Sequence, residues 1–336
     1  MTDGITATER DNLTVWDGTR RGCYEVYYLK LNHRGTGTAY WLRYTLLSPT
    51  AGRGNPVAEL WGIAFDPAEP ARNLALKRTV PIAAAEIGRE RFLLRIGDAE
   101  LRHTTARGAL DGRHGTLEWN LAWDPPAETF RHFPHAAMYR LAVPKTKVLV
   151  PNQDVRFRGT IRWNGREIPC AGEPGQQTHI WGTQHADRWV WGHGNVFEDG
   201  ADASFECLSA RIRVGPFVTP DLVLLFLRHG GRWHRLNALW RAPFQCGRAD
   251  VPVFRFAGSG DGIRLRGEAA ARLEDLVGVE YTDPDGAHLW CYNTKVADLR
   301  IEVDASGAAP RTLLARRTFA LEFVQRKKDP RIPIRI

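Results

Sequence analysis

The sequence has few cysteines and lacks the features of several common protein classes. No apolar run approaches about 18 residues, so we predict no membrane-spanning helix. Residues 1–16 carry acidic side chains and no apolar segment, so we expect no secretory signal and a cytoplasmic location. The cysteines are odd in number, widely spaced and without a C-x-x-C pair, which predicts neither a disulfide framework nor a zinc site. They are Cys23, Cys170, Cys207, Cys246 and Cys291.

The net charge is +8, from 46 Lys and Arg against 38 Asp and Glu. Lysines are few, and most arginines occur singly within apparent strands, as at Arg43, Arg156 and Arg162. The one dense basic block is RKKDPRIPIRI at residues 326–336. A spread of single charges does not form the basic stripe that nucleic acids require, so we expect no nucleic-acid partner. A transient contact with a membrane surface stays open.

Apolar and polar residues alternate with a period of two along most of the chain, and turn signals recur at short spacing. Residues 23–32 and 38–47 flank the loop HRGTG and predict a hairpin. Asn164-Gly165 between RFRGTIRW and REIPC is the strongest two-residue hairpin signal. Convincing helical segments are scarce. We therefore predict an all-β protein of antiparallel strands that close into barrels or barrel-like sheets.

The two halves of the sequence are weakly similar in the order of their segments. The first half has an aromatic strand from Tyr24, then a strand with Arg43, then LWGIAF. About half a chain later the same order recurs, with an aromatic strand from Trp189, a strand with Arg211, and LVLLFL. This order predicts two similar β-units in tandem, at residues 1–172 and 173–336. The polar stretch IPCAGEPGQ is the predicted boundary.

Most candidate functional side chains lie in one tract, residues 176–213. Its sequence is QQTHIWGTQHADRWVWGHGNVFEDGADASFECLSARIR. Successive side chains of a strand point to opposite faces, so the odd-numbered residues from 185 to 197 share one face. That face carries His185, Asp187, Trp189, Trp191 and His193, followed by Asn195. Polar groups and aromatic rings on the same side of a strand are what a pocket wall needs.

Asp199-Gly200 indicates a hairpin between RWVWGHGNVF and ASFECLSAR. A two-residue loop would pair His193 with Glu206 and Trp191 with Leu208, and a four-residue loop would pair Asn195 with Glu206. In both cases Glu206 shares a face with His193, Asn195 and Trp191. An odd-length loop or a bulge would break this inference.

The chain resembles a lipocalin-like superfamily in three segments: RGCYEVYYLKLNHRGTGTAYWLRYTLLSP, PKTKVLVPNQDVRFRGTI, and the H-x-W-G of His179–Gly182 followed by RWVWGHGNVFEDG and F-E-x-L-S-A-R. This superfamily includes bacterial carotenoid hydratases (hydroxyneurosporene synthases), AttH-like proteins and, more distantly, tocopherol cyclases. The resemblance implies two consecutive calycin-type β-barrels or barrel-like sheets. It also implies a ligand cavity near the H-x-W strands, an apolar ligand of isoprenoid or polyketide type, and no obligatory redox cofactor.

Three residues match positions that matter in this superfamily. His179 and Trp181 match the H-x-W, and Glu206 lies about where the hydratases place an essential carboxylic acid. The hydratases have an aspartate and a nearby tyrosine there, whereas this chain has Glu206 and Phe205. The departure leaves carotenoid hydration itself unsupported.

Protonation of a C=C bond needs an acid beside an apolar substrate and aromatic faces that stabilise the cation. The tract supplies both kinds of group. The candidate catalytic residues are Glu206, His179, Asp187 and His193. The candidate ligand-binding residues are Trp181, Trp189, Trp191, Asn195, His185 and Arg211.

The expected function is binding of an apolar or amphipathic small molecule in a β-barrel cavity. Acid catalysis of hydration, cyclisation or isomerisation without a cofactor is the enzyme hypothesis. A non-catalytic carrier or sensor of a hydrophobic ligand stays open, as does ordinary packing of the tryptophans. A carbohydrate-binding or carbohydrate-active protein is a further alternative. Such an enzyme would need paired carboxylates, and Asp187 and Glu206 are the only candidates for that pair. His179, His185, His193 and Asp187 follow no metal-binding spacing rule, so we predict no metal.

Overall fold

The computed structural model describes residues 4–198, 202–305, 307 and 309–336. Its helix α1 spans Ala7–Asn12. Thr6 caps its N-terminus, since the Thr6 side-chain oxygen accepts a hydrogen bond from the Glu9 backbone N–H at 3.1 Å. Single 3-10 turns occur at Pro70–Arg72, Ile82–Ala84, Ala136–Tyr139, Leu239–Phe244 and Leu273–Asp275. Among the described residues, no helix has the length and apolar character needed to cross a membrane.

The first sheet curls into a nearly closed antiparallel barrel. Its neighbouring strands run in the order β4-β3-β2-β1-β12-β11-β9-β8-β7-β6-β5, and β10 pairs with β11. The strands are β1 (Cys23–Asn32), β2 (Ala39–Ser48), β3 (Val57–Phe65), β4 (Leu74–Pro81), β5 (Ala85–Ile87), β6 (Leu93–Ile96), β7 (Ala99–Arg102), β8 (Thr105–Gly112), β9 (Gly115–Ala122), β10 (Phe130–Arg131), β11 (Thr146–Trp163) and β12 (Arg166–Gly182).

The second sheet has the order β18-β17-β14-β13-β24-β23-β21-β20-β19, and β22 pairs with β23. A separate ribbon is formed by β15 and β16. The strands are β13 (Arg188–Gly194), β14 (Ala203–Arg211), β15 (Arg213–Val214), β16 (Phe217–Val218), β17 (Leu222–His229), β18 (Arg232–Leu236), β19 (Cys246–Asp250), β20 (Val253–Gly260), β21 (Ile263–Ala270), β22 (Val277–Thr282), β23 (His288–Ala305) and β24 (Arg311–Gln325).

Nearly all described elements are antiparallel strands, which confirms the predicted all-β fold class. The two sheets also share a common run of strands. The run β3-β2-β1-β12-β11-β9 in the first sheet corresponds to β17-β14-β13-β24-β23-β21 in the second. The predicted hairpins are also present. At the Asn164-Gly165 turn both residues have positive φ, 49° and 79°, and Trp163 pairs with Arg166. These dihedrals match the two-residue turn that a twisted hairpin favours.

The predicted boundary between residues 172 and 173 falls inside β12. This strand runs without a break from Arg166 to Gly182, and its residues up to Gly182 pair with β1 of the first sheet. The chain passes to the second sheet at residues 183–187 instead. Pro and Gly in IPCAGEPGQ are accommodated within the long strand, so they mark no linker. The division into two domains stays a prediction.

Side chains fill the interior of each sheet. Tyr27, Leu29 and Leu31 of β1 point into the first barrel, and Phe205 and Cys207 of β14 point into the second. The alternate residues of β1, Tyr24, Val26 and Tyr28, belong to a third cluster that lies between the two sheets. Every residue of β1 is therefore buried. Both faces of this strand are covered because one packs inside its barrel and the other packs on the neighbouring sheet.

We predict that Phe205→Ala destabilises the protein strongly. The Phe205 side chain is fully buried, and its ring stacks on Phe256 with centroids 5.0 Å apart. Deleting such a ring leaves a cavity and lowers the free energy of unfolding by about 3–5 kcal/mol. Phe217→Ala is the matched control, because Phe217 is 74% exposed and its truncation should change the value by less than about 0.5 kcal/mol. Urea unfolding followed by circular dichroism measures both, and equal small effects would contradict a packed interior.

Candidate functional site

A cavity of about 170 Å³ lies between the two sheets. Its walls come from β1 and β2 on one side and from β13 and β14 on the other, with Tyr281 of β22 and Glu322 of β24 beside them. The expectation of a cavity inside a barrel is wrong. The described side chains fill both barrel interiors, so the space is left where the outward faces of the two sheets meet.

Aromatic rings form the buried end of the cavity. Tyr28 and Trp191 meet edge to face, with centroids 5.5 Å apart, and Trp41 lies beside Tyr28. The ammonium of Lys295 lies 5.4 Å from the Trp41 ring and 5.3 Å from the Trp191 ring, and it donates to Glu322 Oε1 at 2.8 Å. Burial lowers the pKa of Lys295 although Glu322 opposes this shift. The rings thus already face a cation within the protein.

Glu206 lies behind this aromatic wall and is fully buried. The predicted register is confirmed, because β13 and β14 pair His193 with Glu206 and Trp191 with Leu208. The predicted turn at Asp199-Gly200 itself lies outside the described residues. Trp191 Nε1 donates to Glu206 Oε1 at 3.0 Å, and Gln153 Nε2 donates to Glu206 Oε2 at 3.2 Å. A buried carboxylate needs such donors, since it has lost its water.

His132 is the third residue that contacts the Glu206 carboxyl group, and no sequence pattern indicates it. Its Nε2 lies 2.6 Å from Glu206 Oε1, and its ring lines the cavity. The rings of Phe130 and Phe226 meet it edge-on and fix its plane. Its Nδ1 is buried and has no hydrogen-bond partner among the described residues. An unpaired buried polar atom in a residue that lines a cavity is a candidate ligand contact.

An irregular stretch of β11 brings Gln153 to this group. The register of β11 against β12 shifts on both sides of Asn152, and Asp154 has a φ of 52°. Asn152 bonds to Gln177 inside the first barrel, whereas Gln153 reaches Glu206 of the second sheet. Such bulges commonly redirect side chains next to functional sites. The irregularity therefore links the two sheets at Glu206.

A second carboxylate–imidazole pair lies elsewhere in the cavity wall. His185, on the connection between β12 and β13, bonds through Nδ1 to Asp283 Oδ1 at 2.7 Å. Its ring stacks on Tyr24 at 4.0 Å and lies parallel to Trp189 at 5.5 Å. Burial lowers the pKa of His185, although Asp283 raises it. The neutral imidazole is favoured, and with its Nδ1–H donated to Asp283 its Nε2 is left as a proton acceptor.

His193 and Asn195 lie farther from the cavity. The His193 ring is parallel to Trp191 at 6.4 Å, and its Nε2 lies 3.5 Å from Ser204 Oγ. Burial, and then the nearby Lys30 ammonium, lower the pKa of His193 well below its ordinary value. Asn195 Oδ1 accepts a hydrogen bond from Lys30 Nζ at 3.3 Å. Neither predicted residue is part of the cavity lining.

The H-x-W motif faces away from the cavity. His179 Nε2 lies 2.7 Å from Glu25 Oε1, and its Nδ1 lies 2.8 Å from the Asp11 carbonyl oxygen. Its ring stacks on Tyr27 at 4.4 Å inside the first barrel, and Trp181 lies on the same side at 4.7 Å. Only Ile180 of this tripeptide lines the cavity, because it points to the other face of β12.

Asp187 and Arg211 form ion pairs outside the cavity lining. Arg213 donates to Asp187 Oδ1 at 2.8 Å, and Arg211 donates to Asp221 at 2.9 Å. Asp187 lies six residues from the position that pairs with Glu206, which corresponds to roughly 20 Å along a strand. Glycosidases hold their carboxyl pairs about 5–9.5 Å apart. The structure therefore does not support Asp187 and Glu206 as a glycosidase pair.

The predicted residues thus separate into four places. Trp189, Trp191 and His185 line the cavity, with Glu206 behind the wall, while the others lie in a barrel interior, in the buried junction or at surface ion pairs. In the described parts of the chain, no three or more His, Cys, Asp and Glu side chains are grouped to hold a metal ion. The cavity combines an apolar aromatic surface with two carboxylate–imidazole pairs, which suits proton transfer to and from an apolar ligand.

Comparisons with known proteins agree with this architecture. The model of a family described as tocopherol cyclase-like matches residues 103–321, which is more than half of the chain. Uncharacterized proteins from two strains of Mycobacterium tuberculosis are 29% identical over 297 residues, covering 87% of this chain and 84% of those proteins.

Three solved structures share the fold at low sequence identity. A putative AttH from Nitrosomonas europaea has a TM-score of 0.54 at 12% identity, covering 89% of this chain and 91% of that one. Kievitone hydratase from Nectria haematococca has a TM-score of 0.56 at 8% identity, covering 90% and 88%. CghA, solved with Sch210972, has a TM-score of 0.53 at 9% identity, also covering 90% and 88%.

We predict that Lys30 makes the stability depend on pH in the alkaline range. Lys30 is fully buried, and burial together with the Lys295 ammonium lowers its pKa from 10.5 to about 7. The folded protein thus favours the neutral Lys30 amine. The stability that the folded protein gains from this preference is complete above pH 10.5 and is lost as the pH falls towards 7. Between these values the free energy of unfolding should rise by about 1.4 kcal/mol per pH unit on account of this group.

Lys30→Met should remove that slope, whereas Lys327→Met at an exposed position should leave it unchanged. Urea unfolding at a series of pH values measures the slope for each variant. A Lys30→Met protein with the wild-type slope would show that Lys30 is not the group responsible.

Proposed function

Because the chain belongs to the tocopherol cyclase-like family, we propose that it binds an apolar or amphipathic small molecule between its two sheets and transfers a proton to a C=C bond of that molecule. The observation that carries this proposal is the buried Glu206–His132 pair, in which His132 lines the cavity and its Nδ1 has no hydrogen-bond partner among the described residues. Addition of water or of a hydroxyl group of the ligand then completes a hydration or a cyclisation.

The Glu206–His132 pair is the proton donor in this mechanism. In its protonated form the imidazolium donates Nε2–H to the Glu206 carboxylate at 2.6 Å, and Nδ1–H is directed to no protein acceptor among the described residues. Transfer of the Nδ1 proton to an alkene carbon leaves a neutral imidazole that is still held by Glu206. Trp191 and Gln153 keep the carboxylate in place. Glu206 thus stabilises the charged imidazole without contacting the ligand itself.

The aromatic wall stabilises the cation that forms on the ligand. Protonation of an alkene leaves a carbocation, which is attracted to the face of an aromatic ring. Tyr28, Trp41 and Trp191 lie at the buried end of the cavity together with His132. Their rings also exclude water, which would otherwise capture the cation at random.

The His185–Asp283 pair accepts the proton that the nucleophile releases. When water or a ligand hydroxyl attacks the cation, one O–H proton must leave. The neutral His185 ring can take it on Nε2, because its Nδ1–H is donated to Asp283 at 2.7 Å. The donor pair has then lost one proton and the acceptor pair has gained one, so exchange with solvent restores both.

We predict that Glu206→Gln abolishes turnover with little effect on ligand binding. The probes are a panel of polyisoprenols and prenylated phenols, incubated in D₂O and analysed by mass spectrometry for deuterium bound to carbon. A general acid contributes about 10²–10⁴-fold to the rate, so turnover should fall by at least about 100-fold. The dissociation constant, measured by quenching of tryptophan fluorescence, should change by less than about threefold, since Glu206 lies behind the wall.

Asp187→Asn is the matched control, because Asp187 is a carboxylate of the same tract that pairs with Arg213 outside the cavity lining. It should keep the wild-type rate. Binding of probes without any deuterium incorporation would contradict the catalytic proposal and favour a carrier or sensor of a hydrophobic ligand.

We also predict that the rate falls on acidification as His185 becomes protonated. The Asp283 carboxylate raises the pKa of His185 against the lowering by burial. Asp283→Asn removes this charge, so the acid limb of the pH–rate profile should move to lower pH. Asp285→Asn alters an exposed carboxylate in the same turn and should leave the limb in place. A limb that is unchanged in Asp283→Asn would exclude His185 as the base.

A further inference from the structure

Two segments of the chain carry exposed apolar side chains next to residues that line the cavity. One is the ribbon of β15 and β16, where Val214, Phe217 and Val218 are 47%, 74% and 39% exposed. The other precedes β11, where Leu141 and Val143 are 58% and 50% exposed. We call these five side chains the mouth patch. Of the large apolar side chains that the described residues expose, most belong to it.

The two segments that carry the mouth patch also contribute residues to the cavity lining. Val143, Pro144 and Lys145 from one segment line the cavity, and so do Ile212 and Arg213 at the base of the ribbon. Val143, Lys145 and Arg213 are exposed, whereas the cavity residues at the other end, such as His132 and Trp41, are buried. The two segments therefore flank the passage between the cavity and the outside.

Both segments are basic and lack acidic residues. The sequence RHFPHAAMYRLAVPKTK at 131–147 and the sequence LSARIRVGPFVT at 208–219 contain no Asp or Glu. Arg140 and Lys145 are exposed among the apolar side chains, and the exposed Arg213 is paired with Asp187. A surface that combines apolar side chains with lysine and arginine matches the interface of a membrane with anionic headgroups.

We propose that the mouth patch docks the protein on the surface of a membrane that contains anionic lipids, with the cavity opening towards the bilayer. Phe217 and the aliphatic side chains enter the headgroup region, and the basic residues contact the lipid phosphates. An apolar ligand can then pass between bilayer and cavity without crossing water. The docking itself does not depend on the catalytic proposal, because it requires only the exposed residues of the two segments.

A second copy of the chain is a less suitable occupant. A twofold interface would bring the same patch of each copy together. Arg140 and Lys145 of the two copies would then face like charges, which costs free energy. An anionic lipid surface neutralises these charges instead, so charge complementarity favours the membrane.

The test is sedimentation of the full-length protein with vesicles, without any added ligand. One set of vesicles contains equal parts of phosphatidylcholine and phosphatidylglycerol, and a second set contains phosphatidylcholine alone. We expect the wild-type protein to sediment with the anionic vesicles, to bind the neutral vesicles at least about tenfold more weakly, and to be released by salt.

The double variant Val214→Ser/Phe217→Ser should weaken binding to anionic vesicles by at least about tenfold, since burial of a phenylalanine side chain alone accounts for such a factor. The matched control is Trp240→Ser/Phe244→Ser, which alters two side chains that are 71% and 67% exposed on the Leu239–Phe244 turn. All four positions are exposed, so both variants should fold, and circular dichroism checks this. The control should bind as the wild type does.

Three results would overturn the proposal. The wild-type protein could fail to sediment with anionic vesicles, or the control could lose as much binding as the Val214/Phe217 variant. Analytical ultracentrifugation could also show a dimer that dissociates in Val214→Ser/Phe217→Ser, which would assign the mouth patch to a second copy. The loss of turnover in Glu206→Gln is measured without vesicles, so failure of either proposal leaves the other standing.

Discussion

The structure depends on the contact between the outward faces of two barrels whose interiors are already full. Side chains such as Tyr27 and Phe205 pack each interior. The opposite faces of β1 and β13 are aromatic as well, and they can leave water only by meeting each other. Two curved sheets do not fit together everywhere. The cavity is the part of this contact that protein side chains leave open.

The same contact explains the polar groups at its centre. Lys30, Lys295, Glu206 and His132 lie between the sheets and are fully buried. Burying such groups costs free energy unless each finds a partner, and most of them do: Glu206 accepts three hydrogen bonds, and Lys295 pairs with Glu322. Three ring nitrogens near this contact have no hydrogen-bond partner in the described chain: Nδ1 of His132, Nδ1 of His193 and Nε1 of Trp41. Of these three residues, His132 and Trp41 line the cavity, so they are the ones that an incoming ligand can meet.

Much of the fold follows from local patterns. Alternation and turn residues predicted the hairpin of β1 and β2, the turn at Asn164-Gly165 and the pairing of His193 with Glu206. Local signals misled where a polar stretch suggested a linker, since residues 168–176 continue β12. Of the aromatic tract, Trp189, Trp191 and His185 line the cavity, and their binding of a ligand stays a prediction. The resemblance implies a cavity near the H-x-W strands, but the motif does not tell which face of β12 borders it, and His179 and Trp181 lie on the face of the first barrel.

The sequence by itself therefore determined the strands, their local register and the face that Glu206 shares with Trp191, because these depend on residues close together in the chain. Only the tertiary structure decided what surrounds Glu206. His132 lies 74 residues away from it and Gln153 lies 53 residues away, and neither stands in a motif of its own. Their approach requires the two sheets to pack together and β11 to bulge at Asn152. The location of the cavity was decided in the same way, since a space between two surfaces exists only once both have folded and met.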